Sequence, residues 1–272
     1  IEWDDSGFAY ADAQNDPRTG EILHAQVYLT SVFAISSKKS AVDFLKKIDA
    51  ATAAGEASKT HDPFRYGLAG MTGKPMCNMK LHQKFAQTLR QALEITSDDK
   101  KIMQISQDYV RETVAHEVGH TMGLRHNFAG NLYTNINPAK KMKVFKKYVE
   151  LGKTPEGVIT SSSVMEYEAF IPSVLSGNLT ATGKKALVYD ENAIQKLYYG
   201  KDSDSEMLFC TDSHINTFVD CNVWDEGISI VASLAVSASE AQELLTNTID
   251  LADMKIPLAY VIDTKAAAGA IL

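Results

Sequence analysis

His116-Glu117-Val118-Gly119-His120-Thr121-Met122-Gly123-Leu124-Arg125-His126 places three histidines, a glutamate and two glycines at fixed spacings. On a helix, positions four apart lie about 40° apart around the axis, so His116 and His120 project from one face and can grip one metal ion. Glu117 is rotated away from that direction and can reach a water at the metal rather than the metal itself. Gly123 permits a sharp left-handed turn, which returns His126 toward the pair instead of letting a continuing helix swing it away. Neutral imidazoles suit Zn²⁺, and three protein ligands leave a fourth position for water, the arrangement of a catalytic site. Gly and His at two further set positions, among 16 Gly and 7 His in 272 residues, coincide by chance at a frequency of roughly 0.0015.

Around this run the sequence predicts a helix from about Asp98 to Met122, with acids at its positive end. Val110, Val114, Val118 and Met122 form an i+4 stripe expected to face a core, with the histidines on the other side. Upstream, Asn15 to Gly20 is dense in turn formers and Ile22 to Ile35 is rich in β-branched residues, which predicts extended structure. Ser40 can cap a helix carrying Val42, Leu45 and Ile48 that Gly55 stops. Leu81, Phe85, Leu89 and Leu93 predict a second helix, and the glycine-rich stretch Thr60 to Lys80 a loop. Downstream, Asn137-Pro138 can open a helix with Met142, Phe145 and Val149 that Gly152 ends; Asp190 to Tyr199 and Ser239 to Ala252 read as two more.

Composition narrows the function classes. Apolar residues make up 45% and charged residues 22%, as in a folded globular chain. With 27 basic and 34 acidic residues the net charge is −7, which argues against a broad nucleic-acid footprint. Gly227 to Ser239, an uncharged run of 13 residues, is too short to span a bilayer. Three cysteines are too few for a disulfide scaffold. The spacing of Cys210 and Cys221 leaves two readings open, a small closed loop or two unrelated thiols. His24, His61, His82 and His214 have no partner at metal-ligand spacing and read as ordinary histidines.

A second element stands about forty residues beyond His126. Ser162-Ser163-Val164-Met165-Glu166-Tyr167 lies in a serine-rich, non-helical stretch. With the HExxHxxGxxH pattern it resembles the Met-turn that floors the zinc site of metzincin metallopeptidases, and Tyr167 matches a tyrosine that can approach the metal or an oxyanion. DPRTGEI from Asp16, RHNF from Arg125, YDENAI from Tyr189, and FCTD with DCN look like landmarks of a group of bacterial zinc-dependent metalloproteases.

The resemblance implies an α+β, metzincin-like (zincin) catalytic domain. A twisted mixed sheet and an active-site helix would lie above the cleft, with a mainly helical or irregular lower subdomain beneath. One domain is expected over residues 1–272, divided into upper (1–123) and lower (124–272) subdomains. It implies a zinc endopeptidase with one catalytic Zn²⁺ on His116, His120 and His126. Glu117 would be general base and acid, Tyr167 an oxyanion partner and Met165 the apolar floor. An extended peptide or protein substrate would pair with an edge strand at Leu23 to Thr30, and Glu168 to Leu175 would wall the pocket for the residue after the scissile bond. The relatives are exported, which implies a Cys210–Cys221 disulfide with Cys77 a free thiol. Metzincin domains open with further strands and a helix, so the start at Ile1 reads as a truncated or processed form. Two other readings stay open, a thermolysin-like zincin with Glu150 as third ligand and a catalytically silent zinc module.

Overall fold

A turn built on Asp16 organises the sheet. Its side chain accepts the Arg18 backbone N–H at 2.8 Å, its carbonyl accepts from Gly20 at 2.8 Å, and Gly20 takes a φ of 77°. This turn joins β2 (Tyr10–Asn15) to β3 (Ile22–Thr30) in antiparallel register, Tyr10 opposite Tyr28. β1 (Glu2–Asp4) runs parallel to β3 on its other side, pairing Glu2 with Tyr28 and Asp4 with Thr30. The order is therefore β1-β3-β2. Of Leu23 to Thr30, expected as an edge strand, β1 covers only Tyr28 to Thr30, while β2 pairs along the other side.

The computed structural model describes residues 2–4, 9–30, 35–53, 89–201, 207–215, 217 and 221–223. The chain divides into two compact units, Ile1–Ala232 and Ser233–Leu272, and every described residue lies in the first. The expected features at Gly55, 60–80, 81–88 and 239–252, together with Cys77, His61 and His82, fall outside the described residues.

α1 (Lys38–Ala53) begins two residues before the expected cap. Ser37 does the capping, its hydroxyl taking the Ser40 N–H at 3.2 Å. Residues 89–95 are helical, with Leu89 and Ala92 buried. α2 (Asp99–Thr121) is the expected central helix, capped by the Asp98 carboxylate on the Lys100 N–H at 2.9 Å. Asn137 caps a 3₁₀ turn, Pro138–Lys140, that leads into α3 (Lys141–Leu151), and Gly152 ends α3 at a φ of 68°. α4 (Phe170–Gly183) was not expected, and α5 (Val188–Tyr199) was. No described helix is long and apolar enough to cross a membrane.

One core joins these parts. Val27 and Leu29 of the sheet, Leu45 of α1, Ile102 and Ile105 of α2, Phe145 and Tyr148 of α3, and Val174 and Leu175 of α4 are mutually packed. The α2 stripe differs from expectation. Val118 and Met122 are exposed, Val110 and Val114 only partly buried, and the buried side carries Asp108, Glu112, His116 and Glu117. The reason is α4, which lies along that side and supplies hydrogen bonds where apolar contacts were expected. Ser173 donates to Glu112 at 2.6 Å, and Asn178 donates to Asp108 at 3.0 Å. Tyr148 of α3 adds a bond to Asp108 at 2.5 Å, and Arg111 pairs with the same carboxylate. Polar residues satisfied in this way are buried without the penalty that an apolar stripe is meant to avoid. Gly177 is the contact point between α4 and α2, because a Cβ there would run into the Asp108 carbonyl.

Candidate metal centre

The end of α2 sets the site. Gly123 adopts a φ of 87°, its N–H reaches the His120 carbonyl at 3.0 Å, and the Leu124 N–H reaches the Gly119 carbonyl at 3.0 Å. This is the Schellman arrangement, and it turns the chain so that His126 comes back over the helix. Ligand-type atoms of His116, His120 and His126 all lie within 4.8 Å of one another. The Nε2 atoms of His120 and His126 face each other at 3.1 Å. His116 and His126 are buried and His120 is partly so.

Each imidazole is oriented through Nδ1. His116 meets the Val164 carbonyl at 2.7 Å, His120 the Leu124 carbonyl at 3.0 Å, and His126 both Asp212 carboxylate oxygens at 3.1 Å. Carbonyl and carboxylate oxygens only accept, so each Nδ1 carries the proton and each Nε2 presents its lone pair. Burial and the two neighbouring imidazoles hold His116 well below the usual histidine range. Burial and His126 hold His120 down to about 4. Rings that turn lone pairs toward one another are the donor set of a metal ion. Two nitrogens at ordinary zinc distances on a tetrahedral ion sit about 3.3 Å apart, close to the His120–His126 spacing. The residues present fit Zn²⁺.

The Met-turn lies under this set. Val164 and Met165 form a turn, Met165 is fully buried, and its sulfur lies so near Gly119 that a Cβ there would overlap it. The Met165 carbonyl accepts from Asn127 at 3.0 Å, which ties the turn to the chain just past His126. Asp190 of α5 anchors the other side, accepting from Ser163 Oγ at 2.5 Å and from the Val164 N–H at 2.9 Å. Burial pushes the Asp190 carboxyl up to about 6 against those bonds. Tyr167 packs among the histidines, its ring centroid 4.6 Å from that of His126 and 5.6 Å from that of His116. Glu117 lies on α2 between the first two histidines and is fully buried.

Beyond Tyr167, Glu168 accepts from Ser176 at 2.6 Å, and burial pushes its carboxyl up to about 8. It borders a cavity of about 30 Å³ shared with Asn131, Thr134, Thr160, Glu166 and Pro172. Glu150, the third ligand of the thermolysin-like reading, is exposed on α3, and the metal-binding set contains His126 instead. Cys210 and Cys221 are disulfide-bonded, with Cα atoms 5.8 Å apart. His24 is exposed on β3, and His214 receives the Thr211 N–H at 3.3 Å; neither belongs to the metal-binding set.

Three orienting groups were not visible in the sequence. Val164 and Leu124 act through backbone carbonyls, which no residue type announces. Asp212 stands 86 residues from His126, and only its place in the FCTD motif hinted at a role.

Three histidines on HExxHxxGxxH above a buried methionine turn resemble the metal centre of a Met-turn zincin. Residues 98–208 match the model of a family described as Met-zincin. No curated protein and no solved structure shows significant similarity to the chain.

Proposed function

We propose that the chain is a zinc-dependent endopeptidase. The observation that supports this most is Glu117, fully buried on α2 between two of the three clustered histidines. His116, His120 and His126 would hold the ion, which when bound would polarise a substrate carbonyl and make water a nucleophile near neutral pH. Glu117 takes a proton from the attacking water and delivers it to the leaving amine, which general acid–base catalysis requires of one carboxylate within reach of both. Tyr167, packed against His126, donates its hydroxyl to the tetrahedral oxyanion. Glu168 to Leu175 wall the pocket for the residue after the scissile bond, and the substrate is an extended peptide or protein segment. The Cys210–Cys221 disulfide suits an oxidising compartment, which supports export.

The test is elemental analysis combined with cleavage of a mixed peptide library. One zinc per chain, with cleavage removed by a chelator and restored by zinc, is the expected result. One zinc without cleavage under any condition would make the chain a silent zinc module and refute the proposal.

A further inference from the structure

Of the three acceptors on the histidine Nδ1 atoms, two are backbone carbonyls fixed by the fold. The third differs in kind. Asp212 is the one charged acceptor on a clustered imidazole among the described residues, and it reaches His126 with both oxygens at 3.1 Å. It comes from a segment far along the chain and is itself held. Thr211 Oγ1 donates to Oδ2 at 3.2 Å, and the Arg125 guanidinium lies 3.8 Å from the same oxygen.

The segment that carries Asp212 is laced to the residues after His126. The Cys210 N–H donates to Asn127 Oδ1 at 3.1 Å, the Cys210 carbonyl accepts from Phe128 at 2.7 Å, and Asn127 Nδ2 donates to the Leu208 carbonyl at 3.2 Å. The disulfide to Cys221 starts two residues before Asp212 and packs with Phe128 and Tyr167. We propose that Asp212 is a positioning residue of the metal centre: its carboxylate takes the His126 Nδ1 proton, fixes the tautomer that points Nε2 at the ion, and is presented by the loop that the Cys210–Cys221 disulfide closes. A carboxylate in that place also raises the basicity of the ligating nitrogen more than a neutral carbonyl does. The half-exposed Asp212 then makes zinc affinity depend on an oxidised loop far from the HExxH helix in sequence.

This inference rests on the zinc-site reading above, and metal binding separates the two. Zinc affinity is measured by competition with a chromophoric chelator, and ligand geometry by the visible spectrum of the Co²⁺-substituted chain. Asp212→Ala is expected to weaken zinc binding about 10- to 100-fold and to shift the Co²⁺ bands. Asp212→Asn, whose amide oxygen still accepts the Nδ1 proton but carries no charge, is expected to fall between Ala and wild type. Cys221→Ser is expected to lose part of the same affinity, with Asp212→Ala adding little in that background. Should Asp212→Ala fail to fold, Asp212→Asn carries the test. Wild-type affinity and spectrum in the foldable Asp212 variants would overturn the positioning role, and wild-type affinity in Cys221→Ser would overturn the part given to the disulfide. A wild-type chain that binds no zinc would instead refute the site reading itself.

Discussion

Gly119 is where the active helix and the Met-turn touch, and replacing it tests how the two are fitted. A Cβ at Gly119 would overlap the Met165 sulfur and sit 3.4 Å and 3.6 Å from its Cε and Cγ. Met165 is fully buried and its backbone is held by Asn127, so the side chain has to repack in place. Overpacking of this kind costs about 1–3 kcal/mol, whereas Ala for Gly within a helix returns about 1 kcal/mol. Gly119→Ala is therefore expected to destabilise the chain by roughly 0–2 kcal/mol. Met165→Ala alone removes a fully buried side chain and is expected to cost about 2–5 kcal/mol. In the Met165→Ala background the overlap is gone, so Gly119→Ala becomes stabilising by about 1 kcal/mol. The assay is urea unfolding of all four proteins at matched metal content, with coupling read from the cycle. Equal Gly119→Ala effects in both backgrounds, within about 0.5 kcal/mol, would show that a Cβ at Gly119 and the Met165 side chain do not compete for one space.

Other outcomes follow from the same geometry. The folded Glu168 carboxyl keeps its proton up to about pH 8, whereas an unfolded one releases it near 4.5. Its contribution to stability is thus full below pH 4.5 and lost as pH rises to about 8, at most roughly 5 kcal/mol in all. Unfolding midpoints of wild type should fall relative to Glu168→Gln across that window, and parallel profiles would contradict the shift. Gly177→Ala drives a methyl into the Asp108 backbone and should lower stability by about 3 kcal/mol or more; a denaturation midpoint equal to wild type would show that α4 and α2 are not in such close contact. Tyr167→Phe should lower kcat toward 10²-fold or less with little change in KM, because the ion shares the oxyanion charge; unchanged kinetics would leave Tyr167 a packing residue.

Much of the site was legible because its signals are local. HExxH spacing, the left-handed Gly123, the helix start at Asp98 and the Gly152 stop each act within a few residues, and each stands where the pattern put it. What the sequence hid was contact between distant segments. α4 contains Pro172, Gly177 and Gly183, poor helix formers, and Gly177 is needed for close approach to Asp108. The valine stripe of α2 misled because Asp108 and Glu112 are buried instead, held by Tyr148, Ser173 and Asn178 from other helices. The pairing of Glu2–Asp4 with Tyr28–Thr30 was hidden too, because a three-residue strand leaves no periodic trace. Asp212 and the Val164 carbonyl join the site only through the folded chain.

The most direct test of the account is turnover of a library-derived peptide by zinc-loaded Glu117→Gln beside wild type. One zinc per chain in both proteins and a loss of turnover of roughly 10²–10⁴-fold in the variant are the expected results. A Glu117→Gln chain that holds its zinc and cleaves at the wild-type rate would contradict it.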